Sequence, residues 1–301
     1  MTQVNFTKPV FNIDKKIELL IERGLIIESI NDTKHDLQHI GYFRMTGYFK
    51  FFQETIDEIQ TNNFRKWTRF SDVLNLYVFD RKLRFLTLDA IEKIEVSFKA
   101  KINDYMSESF GCFWYLDNSL FSLERQCNRD LYTWFIDRVK SIQKNQKAIY
   151  VKQYFEKHNE KFLPSWMVFE ELTIWNISTI LNILKSDHLK EIAKSYDIYY
   201  VDMRKWLSLI TQVRNISAHH SRLWNNSYIV RVRVDDVMFK DKYILEELND
   251  KKEVKSNYYN TFLIIDYLLS CINKWLSWTE DLQKLFEEYP EVPKDRMWFE
   301  N

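Results

Sequence analysis

Glycine and proline are scarce in this chain, with four of each in 301 residues. A many-stranded sheet protein draws on those residues for its turns, so the shortage argues for helices. Cysteine is scarce as well: Cys112, Cys127 and Cys271 are odd in number and lack CxxC spacing. That excludes a disulfide framework and a thiolate zinc site, and leaves the three as small core residues in a reducing cytoplasm. An excess of one charge is also missing, since Lys plus Arg and Asp plus Glu both total 43. No global positive field advertises a nucleic acid, and any such binding must come from a local patch. The opening MTQVNFTKPVFNIDKK has no apolar stretch of the kind a signal peptide needs. The longest nearly apolar run, TFLIIDYLLSCI, is too short to span a bilayer and is broken by Asp266. A soluble, cytoplasmic protein without a membrane partner is expected.

What is present is a globular balance, 46% hydrophobic and 29% charged, so folding is expected through most of the chain. IDKKIELLIERGLIIES is amphipathic, and NDTKHDLQHIGYFRMTGYFKFF follows with Gly41 and Gly47 as its only breakers, which predicts short helices joined by tight turns. Ser71 suits the N-cap of a long helix whose apolar positions Leu76, Phe79, Leu83, Leu86, Ala90, Ile94, Phe98 and Tyr105 recur in steps of three or four until Gly111. Asp80 and Arg84 fall near the interior edge of that helix and read as a bundle-fixing ion pair. Further helical periods cover about residues 121 to 145, SWMVFEELTIWNISTILNILK after Pro164, and a segment from about Val201. After Asn225, YIVRVRVDD alternates like a strand or extended arm, and a charged loop leads to a last amphipathic helix. The expected organisation is an N-terminal helical segment over 1–65, a helical core over 66–226, and an arm with a C-terminal helix over 227–301, which together can form one compact body.

The stretch RNISAHHSRLWN, residues 214 to 225, concentrates functional groups. If the helix continues to Trp224, a wheel of 100 degrees per residue puts Trp206, Leu209, Val213, Ile216, Leu223 and Trp224 on an apolar face. Arg204, Ser208, Thr211, Gln212, Asn215, His219 and Arg222 form a polar stripe. His220 falls inside the apolar face, as either a hydrogen-bonded core histidine or a supporting residue of the site, and Arg214 lies at the border. A permanent cation beside a titratable imidazole and an orienting amide suits binding and cleavage of a phosphodiester. The same residues at this spacing also arise at the end of an ordinary buried helix.

RNISAHHSRLWN closely resembles the C-terminal signature of the Abi family of bacterial abortive-infection proteins, of AbiD and AbiF type. HIGYFRMTGYFKFF, YVFDRKLRFLTLDAIEKIEVSFKAKI and PSWMVFEELTIWNIS fit the same family in the right order. The family looks like a branch of the HEPN superfamily, whose ribonucleases carry Arg, four to six residues, then His. The resemblance implies an all-α, HEPN-like helical bundle with additional N- and C-terminal helices. It implies metal-independent RNA cleavage at a composite site formed by two copies, with His219 moving the proton, Arg214 stabilising the phosphate charge and Asn215 orienting. The AbiF branch further suggests a regulatory noncoding RNA as partner. No acidic or Cys/His cluster has metal-ligand spacing, so no metal and no cofactor is expected. Glu92 and Glu95 either support that site or belong to a solvated, ion-paired face. Arg222 either contacts an RNA phosphate or bridges to an acid, and RVRV with Lys240 and Lys242 is a candidate positive patch. The rival reading is a non-catalytic helical module that binds RNA or a protein.

Overall fold

The structure, a computed structural model, describes residues 9–232, 254–273 and 278–297. It is a predominantly helical fold of two compact units, one comprising Met1–Leu83 with Leu285–Val292, the other Arg84–Lys284 with Pro293–Asn301.

In the first unit, Asn12 caps α1 (Ile13–Glu22) by accepting the Lys15 N–H at 2.8 Å, and Ser29 caps α2 (Ile30–Asp36). A π turn over Leu37–Gly41 leads into α3 (Tyr42–Phe52), and Gly41, at φ 95°, takes the left-handed backbone that this junction requires. α3 buries Met45, Tyr48 and Phe49, the last packed edge-to-face on Phe64 at 5.6 Å between ring centroids. Phe64 closes an antiparallel hairpin of β1 (Gln53–Ile56) and β2 (Ile59–Phe64). Asp57 and Glu58, at φ 49° and 64°, form its two-residue turn, with the positive φ values of a type I′ connection. The sequence predicts only helices here, because DE is a weak hairpin signal beside NG or DG.

α4 (Phe70–Phe110) is the long helix expected from Ser71 onward, and Gly111 ends it at φ 84°. Its start differs in detail: Asp72 accepts the Arg69 N–H at 2.8 Å, while the Ser71 hydroxyl donates to Glu28. Within the first unit Asp80 is wholly buried and accepts the Tyr48 hydroxyl at 2.6 Å, and Phe79 packs on Phe286 and Tyr289.

The second unit takes the rest of α4, with Ala90, Ile91, Ile94, Phe98, Ile102 and Met106 buried. The same unit contains α5 (Gln126–Asn145), α6 (Ile149–Lys157), α7 (Ser165–Glu170), α8 (Ile174–Ile183), α9 (Ser186–Lys194), α10 (Tyr200–Ala218), α11 (Tyr258–Ile272) and the beginning of α12 (Trp278–Glu288). The stretch after Pro164 is two helices where one was expected, because a capping box between Thr173 and Asn176 starts α8 anew. α8 is buried on nearly every side. Phe98 stacks on Tyr196 at 4.3 Å, Trp206 meets Tyr267 edge-on at 5.7 Å, and the Thr87 and Tyr258 hydroxyls bond at 2.8 Å. The alternating segment after Asn226 is β3 (Ser227–Val232), paired antiparallel with β4 (Val254–Asn257). The cysteines depart from expectation, since Cys127 and Cys271 are exposed and Cys112 is half-buried. Among the described residues no helix is long and apolar enough to cross a membrane.

Candidate functional site

α10 carries the residues singled out by the sequence. Its buried side comprises Met203, Trp206, Leu207, Leu209, Ile210, Thr211, Val213 and Ser217. Seven of these eight are apolar or satisfied internally: the Thr211 hydroxyl donates to the Leu207 carbonyl at 2.7 Å, while the buried Ser217 hydroxyl has no hydrogen-bond partner. The other side stays half-buried at Arg204, Ser208, Gln212 and Asn215. Gln212 accepts the Ile229 N–H at 3.3 Å, which ties α10 to β3.

The helix stops at Ala218, six residues before the expected end at Trp224. The cause is a backbone motif. The Ser221 N–H donates to the Ile216 carbonyl at 2.9 Å and the His220 N–H to the Ser217 carbonyl at 3.1 Å, with His220 itself at φ 58°. Those two bonds around a left-handed residue are a Schellman cap, which satisfies carbonyls that the helix end would leave open. The position is usually glycine, and this chain has histidine there.

The cap corrects the wheel. Beyond Ala218 the period of 100 degrees no longer applies, so His220 is exposed and is not a core histidine. Arg222 is half-buried in the segment after the cap and is not on the α10 stripe; its carbonyl accepts the Asn226 side chain at 3.1 Å. Leu223 and Trp224 are fully buried as expected, but they return to the core by way of the turn.

Arg214 and His219 are each joined to Asn215, one through its side chain and the other through its backbone. Arg214 is half-buried in the last turn of α10, and its Nη1 donates to the Asn215 Oδ1 at 3.3 Å. The Asn215 carbonyl in turn accepts the His219 N–H at 2.9 Å, and His219 is exposed as the C-cap residue. The end of α10 thus carries a guanidinium partly withdrawn from water and bonded to an amide, followed one turn after that amide by an exposed imidazole.

The supporting carboxylates resolve differently. Glu95 pairs with Lys99 at 3.0 Å, with side chains only 18% and 14% exposed, and Glu92 is exposed to solvent. Among the described residues neither is bonded to Arg214 or His219, so the ion-paired face accounts for Glu95. Arg231 lies exposed on β3, while Arg233, Lys240 and Lys242 of the candidate positive patch fall outside the described residues. Among the described residues no group of three or more His, Cys, Asp or Glu side chains is placed to hold a metal. The feature missed by sequence reasoning is the left-handed turn at His220, since the usual signal, a glycine after the last periodic residue, is absent.

Fold and site define a predominantly helical protein that presents an arginine and a histidine at the carboxyl end of a helix buried on one side. Residues 35–225 match the sequence model of the Abi-like proteins, well over half of the chain, and the chain belongs to that family. The family is that of abortive infection, a class of phage defence. No curated protein and no solved structure gives a significant match.

Proposed function

We propose that this protein is an endoribonuclease toxin of phage defence, of the HEPN kind, cutting RNA at a composite site built from two copies of the chain. The observation that carries the reading is the trio at the end of α10: Arg214 bonded to Asn215, and Asn215 bonded through its carbonyl to the exposed His219. In the reaction an RNA 2′-hydroxyl gives its proton to imidazole and its oxygen attacks the adjacent phosphorus. The bond from phosphorus to the 5′-oxygen breaks, and that oxygen takes up a proton to leave as a 5′-hydroxyl. The products are a 2′,3′-cyclic phosphate and a 5′-hydroxyl end. Arg214 holds the extra negative charge on the phosphate oxygens, and such fixed donors typically contribute about 10²–10³ in rate. His219 moves the proton, a contribution of about 10²–10⁴. Asn215 keeps the guanidinium aimed. A regulatory noncoding RNA restrains the toxin in uninfected cells.

Expression of wild type, Arg214→Ala and His219→Ala proteins tests the reading through growth arrest and the chemistry of cellular RNA ends. Both variants should abolish arrest, and only the wild type should leave cyclic-phosphate and 5′-hydroxyl ends. Arrest that persists unchanged in both variants would remove the nuclease assignment. RNA binding without cleavage by the wild type, once any restraining RNA is stripped away, would favour the non-catalytic module.

A further inference from the structure

A second polar feature lies on the same helix as the candidate site. A cavity of 340 Å³ opens in the second unit, lined among others by Arg125, Arg204, Glu124, Asn128 and Asn182. Neither arginine is ion-paired to a carboxylate among the described residues, and the Arg204 guanidinium rests over the Tyr200 ring at 5.9 Å from its centroid. Two guanidiniums against one carboxylate leave the lining net positive. Their planar forks match phosphate oxygens, and Asn182 adds an amide. The volume sits at the small end of ligand sites, the size of a single nucleotide. The amino ends of α5, α9 and α10 also border it, through Arg125, Ser186 and Tyr200, and none of the three has a side-chain cap. Their open N–H groups add to the positive field around the arginines.

Position ties the cavity to the candidate site. Arg204 and Asn215 are eleven residues apart, which on a helix is about 16 Å along the axis and within about 20 degrees around it. Half-buried Ser208 and Gln212 lie between them on the same stripe.

We infer that the Arg125–Arg204 cavity is a phosphate-binding subsite for a single-stranded RNA, holding one nucleotide of the strand whose scissile phosphate lies at Arg214 and His219. The inference rests on the proposed RNA reaction for the direction of the strand, but the subsite itself requires only binding. It gives the bound strand a register along α10 that the arginine–histidine pair alone does not supply.

The test uses the full-length His219→Ala protein, so that binding is read without cleavage, with a labelled single-stranded RNA of about twelve nucleotides, a length within the range of single-strand sites. Arg125→Ala and Arg204→Ala should each weaken binding about tenfold, the effect of losing one charge-assisted contact. Each should also lower the slope of log K against log salt by about 0.7, as loss of one single-strand phosphate contact requires. Glu124→Gln should tighten binding. Unchanged affinity and salt slope in the double Arg125→Ala/Arg204→Ala variant, with an unchanged thermal midpoint, would overturn the subsite. A parallel arm measures adenosine monophosphate and inorganic phosphate. Displacement of bound nucleotide by the RNA supports the subsite, whereas nucleotide bound in the cavity and not displaced by RNA would make it a free-nucleotide site and refute it. A wild type that cuts no RNA removes the proposed reaction but leaves these binding results standing, so the two failures are separable.

Discussion

His220→Gly is the perturbation that most directly probes the turn on which the candidate site depends. His220 holds φ 58° at the left-handed position of the α10 cap. An L-residue in that conformation costs roughly 1–2 kcal/mol relative to its right-handed form, and glycine is exempt. Glycine also loosens the unfolded chain, which offsets about 0.4–1 kcal/mol. The two bonds of the cap run between backbone groups and survive the exchange, and the imidazole lies exposed. The difference is a net stabilisation of about 0.5–1 kcal/mol. Valine reverses the sign, because a β-branched side chain is a genuine outlier at positive φ, and His220→Val should cost roughly 1–2 kcal/mol.

Urea unfolding followed by circular dichroism reads both effects as shifts of the midpoint at constant slope. The expected order of stability is glycine, then histidine, then valine. A destabilised His220→Gly together with an unaffected His220→Val would refute the argument from backbone strain and show that contacts of the imidazole hold the turn. The same variants sort the histidines chemically. With His219 as proton carrier, His220→Gly keeps cutting RNA and His219→Ala does not. A folded, stabilised His220→Gly without activity would transfer the role to His220.

Tyr48→Phe removes the hydroxyl that donates to the buried Asp80 at 2.6 Å, and leaving a buried acceptor without that donor should cost about 1–3 kcal/mol, seen as a lowered urea midpoint. Ser217→Ala deletes a buried hydroxyl that has no partner, so it should leave stability unchanged or raise it by about 1 kcal/mol; a clear loss would show that the hydroxyl is bonded in solution. His188 makes a prediction in pH. Burial holds its imidazole below the ordinary value of 6.5, with Tyr105 bonded to Nδ1 and Phe110 edge-on to the ring. The folded state therefore prefers the neutral ring and the unfolded state binds the proton more readily. This contribution to stability is fully present above about pH 6.5 and is lost as pH falls from there through the lower folded value. His188→Gln should flatten that part of the decline, measured as urea midpoints between about pH 8 and pH 5. An undiminished decline in the variant would assign it to other groups.

Long-range apolar periodicity was legible. Of the eight positions read along α4, Leu76, Phe79, Leu83, Ala90, Ile94 and Phe98 are buried and Leu86 and Tyr105 half-buried, because a 41-residue helix leaves little freedom in which side faces inward. Local chain reversals were less so. The Asp57–Glu58 turn and the His220 cap both use non-glycine residues at positive φ, a conformation that composition does not announce and that surrounding packing must impose. The break between α7 and α8 did have a signal, Thr173 followed three residues later by Asn176, but the apolar run on either side masked it. The Arg125–Arg204 cavity had none, since its lining comes from segments as far apart as Ser122 and Arg204.

The helical wheel drawn on the motif fails beyond Ala218, where α10 ends. The wheel separated the two histidines by burial, and both are exposed. They are separated instead by the backbone: His219 is the last residue still joined to α10 by a helical bond, to the carbonyl of Asn215, so its position follows Arg214 through Asn215. One residue later the chain turns left-handed, and His220 is decoupled from that register. An arginine with a histidine five positions on therefore spans the last ordered turn of the helix. Lengthening the helix by one residue should separate the pair from the cap and impair the chemistry even with every side chain retained. Inserting an alanine between Ala218 and His219 tests this: the insertion should preserve the fold of α10 and reduce RNA cleavage as severely as His219→Ala, and full activity in a folded insertion variant would show that the register set by Asn215 is not what aligns the two groups.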